Sequence, residues 1–186
     1  MATQEGISVI NRQFHSFEQI AVPFQFSWIN AYCHDANRAR LYLGAYSAKG
    51  LIEWDERKQS WSLIPYADEA YQNDFCISNI FRDHNGRIWI ATRNNLRYLD
   101  TAGNCIRLFR DSNGHPLALT DQVIYNISED HKNNLWVGSR YCGVFCVDSS
   151  RSHVTNYRHN NIGATGLIDG THFLAIKEGR YGRIWM

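Results

Sequence analysis

The stretch Ile77-Ser-Asn-Ile-Phe-Arg-Asp-His-Asn-Gly-Arg-Ile-Trp-Ile-Ala-Thr92 decides the fold. Two short apolar runs flank Asn85-Gly86, a pair that tolerates positive φ and closes tight hairpins. The pattern returns as Ile124-Tyr-Asn-Ile-Ser-Glu-Asp-His-Lys-Asn-Asn-Leu-Trp-Val-Gly-Ser139 and again as Phe173-Leu-Ala-Ile-Lys-Glu-Gly-Arg-Tyr-Gly-Arg-Ile-Trp-Met186. Asn133-Asn134 and Tyr181-Gly182 take the corner in these copies. Trp89 to Trp136 is 47 residues and Trp136 to Trp185 is 49. A fainter copy, Ile29 to Gly44, puts Tyr42 47 residues before Trp89 and needs one inserted residue.

The downstream halves repeat as well. Gly50-Leu-Ile-Glu-Trp-Asp55 matches Asn95-Leu-Arg-Tyr-Leu-Asp100 and Gly143-Val-Phe-Cys-Val-Asp148. A polar turn and a further short run follow each. The clearest unit therefore predicts strands over 77–82, 87–92, 95–99 and 105–109. Four short strands per unit of 40 to 50 residues is the pattern of a β-propeller. The fold class expected is all-β, a propeller fragment of about three and a half four-stranded blades. The expected layout is an N-terminal segment over 1–27, with an outer strand of a preceding blade near Ile7 to Phe14. A degenerate blade over 28–66, blades over 77–110 and 123–158, and the start of another over 172–186 follow. A ring of four to eight such units needs roughly 190 to 380 residues, so a larger whole is expected.

A lone four-stranded sheet cannot hide both faces, and stacked blades bury each other. A large ring in the second strand fills the gap, worth roughly 2–3 kcal/mol when fully buried. Tyr42, Trp89, Trp136 and Trp185 are thus expected to be core residues.

Composition narrows the function classes. The 186 residues carry 19 Lys+Arg against 18 Asp+Glu, so no charge surplus points to nucleic acid. Aromatics reach 13%, which favours strands. No membrane segment and no signal peptide is visible in this chain. Cys142 and Cys146, in one predicted strand, would lie about 13 Å apart, too far for a disulfide.

The run Asp83, Gly86, Ile88, Trp89, Ile90 and Thr92 resembles the two-component regulator propeller repeat. That repeat occurs in periplasmic sensor regions of bacterial hybrid two-component histidine kinases. The second copy, Glu129-Asp130, then Leu135-Trp136-Val137-Gly138-Ser139 and Gly143-Val-Phe, resembles it too. The third has Gly179 where Asp is usual, and the faintest has Tyr42 for Trp. The resemblance implies a non-catalytic, ligand-sensing domain in the periplasm. It implies an oligosaccharide or other small ligand, a homodimer, and a parent chain with kinase activity. The alternatives are a propeller enzyme of the lyase type and a protein-interaction scaffold.

Chemistry-bearing residues are scattered. His34, His84 and His131 each adjoin an aspartate, but they sit at corners of successive blades, where solvated turns are expected rather than a metal site. The Asp83 to Trp89 spacing also resembles the Asp-box of sialidases, without its Ser and Thr. No phosphate loop, nucleophile elbow or Cys-x-x-Cys knuckle appears. No catalytic residue, cofactor or metal is therefore assigned. The long links Pro65 to Cys76, Asp111 to Gln122 and His159 to Thr171 are the expected places for specificity. On them Tyr66, Tyr71, His115 and His172 are the candidate ligand-binding residues.

Overall fold

A computed structural model describes residues 2–3, 6–11, 16–67, 76–117, 123–157, 173 and 175–186. Among the described residues every regular element is a strand, apart from a 3-10 turn at Arg180–Gly182. Strands β1 (Ala2–Thr3), β2 (Gly6–Asn11) and β3 (Ser16–Ile20) form a three-stranded antiparallel sheet. Three four-stranded antiparallel sheets follow. Sheet 1 contains β4 (Ile29–Asp35), β5 (Arg40–Ala45), β6 (Gly50–Asp55) and β7 (Ser60–Pro65). Sheet 2 contains β8 (Ile77–Arg82), β9 (Ile88–Thr92), β10 (Leu96–Leu99) and β11 (Ile106–Leu108). Sheet 3 contains β12 (Ile124–Glu129), β13 (Leu135–Ser139), β14 (Val144–Val147) and β15 (Val154–Tyr157). Strands β16 (Lys177–Glu178) and β17 (Ile184–Trp185) pair as a final hairpin.

Each four-stranded sheet is a meander in sequence order. Its first and third turns therefore lie at one end, the turn end. Its second turn and the link to the next sheet lie at the other, the link end. This is the β-propeller expected from the repeat, with four-stranded blades.

Period-two alternation sorts side chains into the seams. In β9, Ile88 and Ile90 join Tyr42, Leu51 and Ile77 between sheets 1 and 2. Trp89 and Ala91 point the other way, to Ile124, Leu135 and Val137 between sheets 2 and 3. All five β9 residues are buried. In β13, Trp136 turns from that seam toward Phe173, Ile176 and Ile184. Close approach needs small residues at the strand ends. A Cβ on Gly44 would lie 2.3 Å from Ile77, and one on Gly138 would lie 2.9 Å from Phe173.

All five cysteines are free thiols. Asn126, in a formal glycosylation triplet, accepts a hydrogen bond from the Ile176 amide at 3.2 Å.

Candidate functional site

The turn end is built on aspartates. In sheet 2 the Asp83 carboxylate accepts from the Arg87 amide at 2.9 Å and from the Trp89 indole N–H at 2.9 Å. In sheet 3 Asp130 accepts from the amides of Lys132 and Asn134 and from the Trp136 indole, at 2.8–2.9 Å. One side chain thus closes the hairpin and satisfies the ring nitrogen six residues on, which explains the Asp-x-x-x-x-x-Trp spacing. Burial pushes the Asp130 carboxyl up. The Trp136 indole and the Asn134 and Lys132 donors outweigh that and hold it below its ordinary range. Gly179 takes the aspartate position beside β17, and a Cβ there would meet the Trp185 ring at 2.3 Å. Trp185 is 63% exposed, unlike the core position expected for it.

The third turns repeat the device. Asp55 and Asp148 each take two turn amides at 2.8–3.0 Å, and Asp100 takes the Asn104 amide at 2.8 Å. Burial opposes ionisation of Asp148, but amides of His153 and Ser152 and the hydroxyls of Ser150 and Ser152 hold its carboxyl well below the usual range.

Turn histidines do more than face solvent. His84 Nδ1 lies 2.8 Å from Glu129 of sheet 3, whose other oxygen accepts the His84 amide at 2.8 Å. His131 makes the same pair of contacts with Glu178 of β16. Between sheets 1 and 2 the corresponding position uses Arg82, 3.2 Å from Asp35. His34 pairs within its own sheet, 2.9 Å from Glu56. Among the described residues, no three His, Cys, Asp or Glu side chains group as metal ligands.

Arg151 ties the middle of this end together. Its guanidinium reaches Glu129 at 3.0 Å and Asp83 at 3.5 Å, donates to the Asn133 carbonyl at 2.7 Å, and lies over the Trp89 ring at 5.5 Å. Its φ is 61°, in a turn where sheet 2 places Gly103 with φ 73°. A non-glycine residue held there costs of order 1 kcal/mol, offset by its contacts. Beside it a cleft of about 390 Å³ opens between the turns of sheets 1, 2 and 3.

The link end carries aromatic surface instead. Trp28 and Tyr46 stack with ring centres 4.6 Å apart and planes 10° apart, and are 54% and 40% exposed. Tyr141, on the second link of sheet 3, lies under Arg140 and is 48% exposed.

Two of the four candidate ligand residues fall among the described residues. Tyr66 is half-buried against the seam of sheets 1 and 2, with the Arg97 guanidinium 4.9 Å from its ring. His115 is exposed and its amide closes a turn on Asp111 at 2.8 Å. Tyr71 and His172 lie outside the described residues. Trp28, Tyr46 and Arg151 were not singled out by the sequence. Arg151 gives no signal there, because its partners are 22 and 68 residues away.

The two-component regulator propeller repeat matches residues 71–94 and 118–141. No curated protein sequence matches the chain. Among solved structures it is similar to the extracellular domain of a protein described as the hybrid two-component system BT4673 from B. thetaiotaomicron. Identity there is 15%, the TM-score is 0.76, and coverage is 99% of this chain and 24% of that one. The extracellular domain of another such system, BT3049 from the same organism, is 17% identical with a TM-score of 0.71, over 97% of this chain and 22% of that one. A catalytically inactive virginiamycin B lyase from Staphylococcus aureus, with quinupristin, is 15% identical with a TM-score of 0.72. The match covers 98% of this chain and 56% of the lyase. This chain thus spans about a quarter of the length of the two-component relatives. At these identities the likeness is one of fold. The two matched segments, which contain Asp83 with Trp89 and Asp130 with Trp136, are two-component regulator propeller repeats.

Proposed function

We propose that this chain is a non-catalytic, ligand-sensing section of the periplasmic propeller of a bacterial two-component sensor, and that it recognises a carbohydrate-derived ligand. The observation that carries the reading is the matched pair of repeats, on the fold of extracellular domains of two-component systems. The stacked Trp28–Tyr46 pair supports the ligand class. Exposed aromatic faces beside polar links suit the apolar face of a sugar ring with hydroxyls at its rim. Tyr66 and His115, with Tyr71 and His172, remain the proposed link residues for specificity. Signal output would pass through a homodimer to a histidine kinase elsewhere in the parent chain.

The test is calorimetry of the parent's extracytoplasmic region against oligosaccharides from plant and host glycans, with metal content and turnover read in the same samples. Saturable binding without turnover, weakened by Trp28→Ala, is expected. Product formation would replace the sensor with a lyase-type enzyme, the reading that the likeness to virginiamycin B lyase favours. Absence of binding and turnover would favour a protein-interaction scaffold.

A further inference from the structure

We propose that the turn-end cleft shared by sheets 1, 2 and 3 is a site for a small oxyanion, a carboxylate or phosphate group, held between Arg38 and Arg87. Three arginines, Arg38, Arg87 and Arg151, and two aspartates, Asp83 and Asp100, are among its lining residues. The volume of about 390 Å³ suits a small ligand.

Both carboxylates are already engaged. Asp83 accepts from the Trp89 indole, the Arg87 amide and Arg151. Asp100 accepts from the amides of its own turn and from the Cys105 thiol. Arg151 is spent on Glu129, Asp83 and two carbonyls, so it acts as a fixed positive wall. Arg38 is half-exposed, 3.6 Å from Asp35 and hydrogen-bonded to the Tyr42 hydroxyl.

Arg87 differs from its neighbours. Among the described residues, no carboxylate lies within 4 Å of its guanidinium. The group stands over two rings, 5.7 Å from Trp89 and 5.2 Å from Tyr98. Ring stacking restrains the plane of a guanidinium and leaves its N–H edges for a two-oxygen acceptor.

The sibling clefts lack this combination. The one between sheets 1 and 2 contains Arg38, Arg40 and Lys58, and each has a carboxylate partner: Arg40 meets Glu53 at 3.3 Å and Asp55 at 2.5 Å, Lys58 meets Asp55 at 3.8 Å, and Arg38 meets Asp35 at 3.6 Å. The one between sheet 3 and the last hairpin has no arginine among its lining residues. Of the arginines that line the three clefts, Arg38, Arg40, Arg87 and Arg151, Arg87 alone has no carboxylate within 4 Å among the described residues, and it lines the middle cleft. The inference does not rest on the carbohydrate reading, which concerns the opposite end of the sheets.

The experiment is an NMR titration of the isotopically labelled chain with inorganic phosphate and, separately, with citrate at fixed ionic strength. Saturable shifts are expected at the side chains of Arg38 and Arg87 and at the amides of Gly86, Thr101 and Ser150. Arg87→Gln should weaken binding about tenfold. Arg38→Gln should weaken it less, and Arg57→Gln, outside the cleft, should leave it unchanged. Saturation by phosphate alone assigns a phosphate ester, and by citrate alone a carboxylic acid. Linear shifts spread over the surface with both probes would overturn the site. So would an Arg87→Gln affinity equal to that of the parent. Arg87 and Arg38 are solvent-facing, so unchanged amide shifts in β9 and β13 verify that each variant keeps its fold.

Discussion

Trp89 and Trp136 occupy the same position in successive repeats, and their surroundings differ. Each donates its indole N–H to an aspartate at 2.9 Å. Trp89 is fully buried, under Arg151 and beside Phe109 and Tyr98. Trp136 is half-buried, stacked on Tyr157 and facing the short hairpin β16–β17. The local bond is a property of the repeat. The burial is a property of whatever the next sheet brings.

The comparison can be broken most directly by truncation. Trp89→Ala should cost about 3–5 kcal/mol, because a fully packed ring leaves a cavity that the seam cannot close. Trp136→Ala should cost about 1–2 kcal/mol, since much of that ring already meets water. Urea unfolding measures both. Equal losses would mean that the two seams are equivalent in solution.

Removing the aspartates sharpens the contrast. Asp83→Ala should cost about 2–3 kcal/mol, as it strands a buried indole N–H and a cation from the next sheet. Asp130→Ala should cost somewhat less, because its additional partner, Asn134, belongs to the same turn and can reach water. Thermal unfolding of the two variants side by side decides the order.

Arg151→Gly probes the residue that makes the sheet 2–3 seam different. Glycine relieves the left-handed backbone but loses the contacts to Glu129 and Asp83. The net loss should be about 1 kcal/mol, with faster amide exchange at His84. A more stable variant would show that the contacts do not offset the strain.

Acid should act on the turns without distinguishing the sheets. The carboxyls of Asp55, Asp100, Asp130 and Asp148 all titrate below their ordinary 3.8 in the folded chain. The unfolded chain takes up these protons first. The stability they contribute is therefore complete above about pH 4 and is lost as pH falls through the folded values. Asp148→Asn should flatten that acid limb in a pH series of melting temperatures; an unchanged limb would remove Asp148 from the account.

Gly179→Ala should have the smallest effect, under about 0.5 kcal/mol. The new methyl meets a Trp185 ring that is free to swing into solvent. A large loss by thermal unfolding would mean that this ring is held, making the final hairpin resemble the inner sheets.

Reading the sequence located the strands of the clearest unit to within one residue at every end. The expected 77–82, 87–92, 95–99 and 105–109 compare with 77–82, 88–92, 96–99 and 106–108. The turns were legible because Asn-Gly and Asp act within a few residues of one another. The candidate site was not. His84 and Glu129 are 45 residues apart, and His131 and Glu178 are 47 apart. Each histidine looked like an ordinary solvated corner until the next sheet was placed beside it. Tyr66 looked like a free loop ring, and the neighbouring sheet packs it under Arg97.

By itself, the sequence determined the repeat, the four-stranded units, the Asp–Trp hairpin and the alternation that sends neighbouring side chains into opposite seams. These depend on contacts between residues close along the chain and on the period-two geometry of a strand. Only the tertiary structure decided which tryptophan is fully covered, that Arg151 spans two sheets, and that Arg87 has no carboxylate partner among the described residues. Those outcomes depend on the distance and angle between consecutive sheets, which no short window of sequence contains.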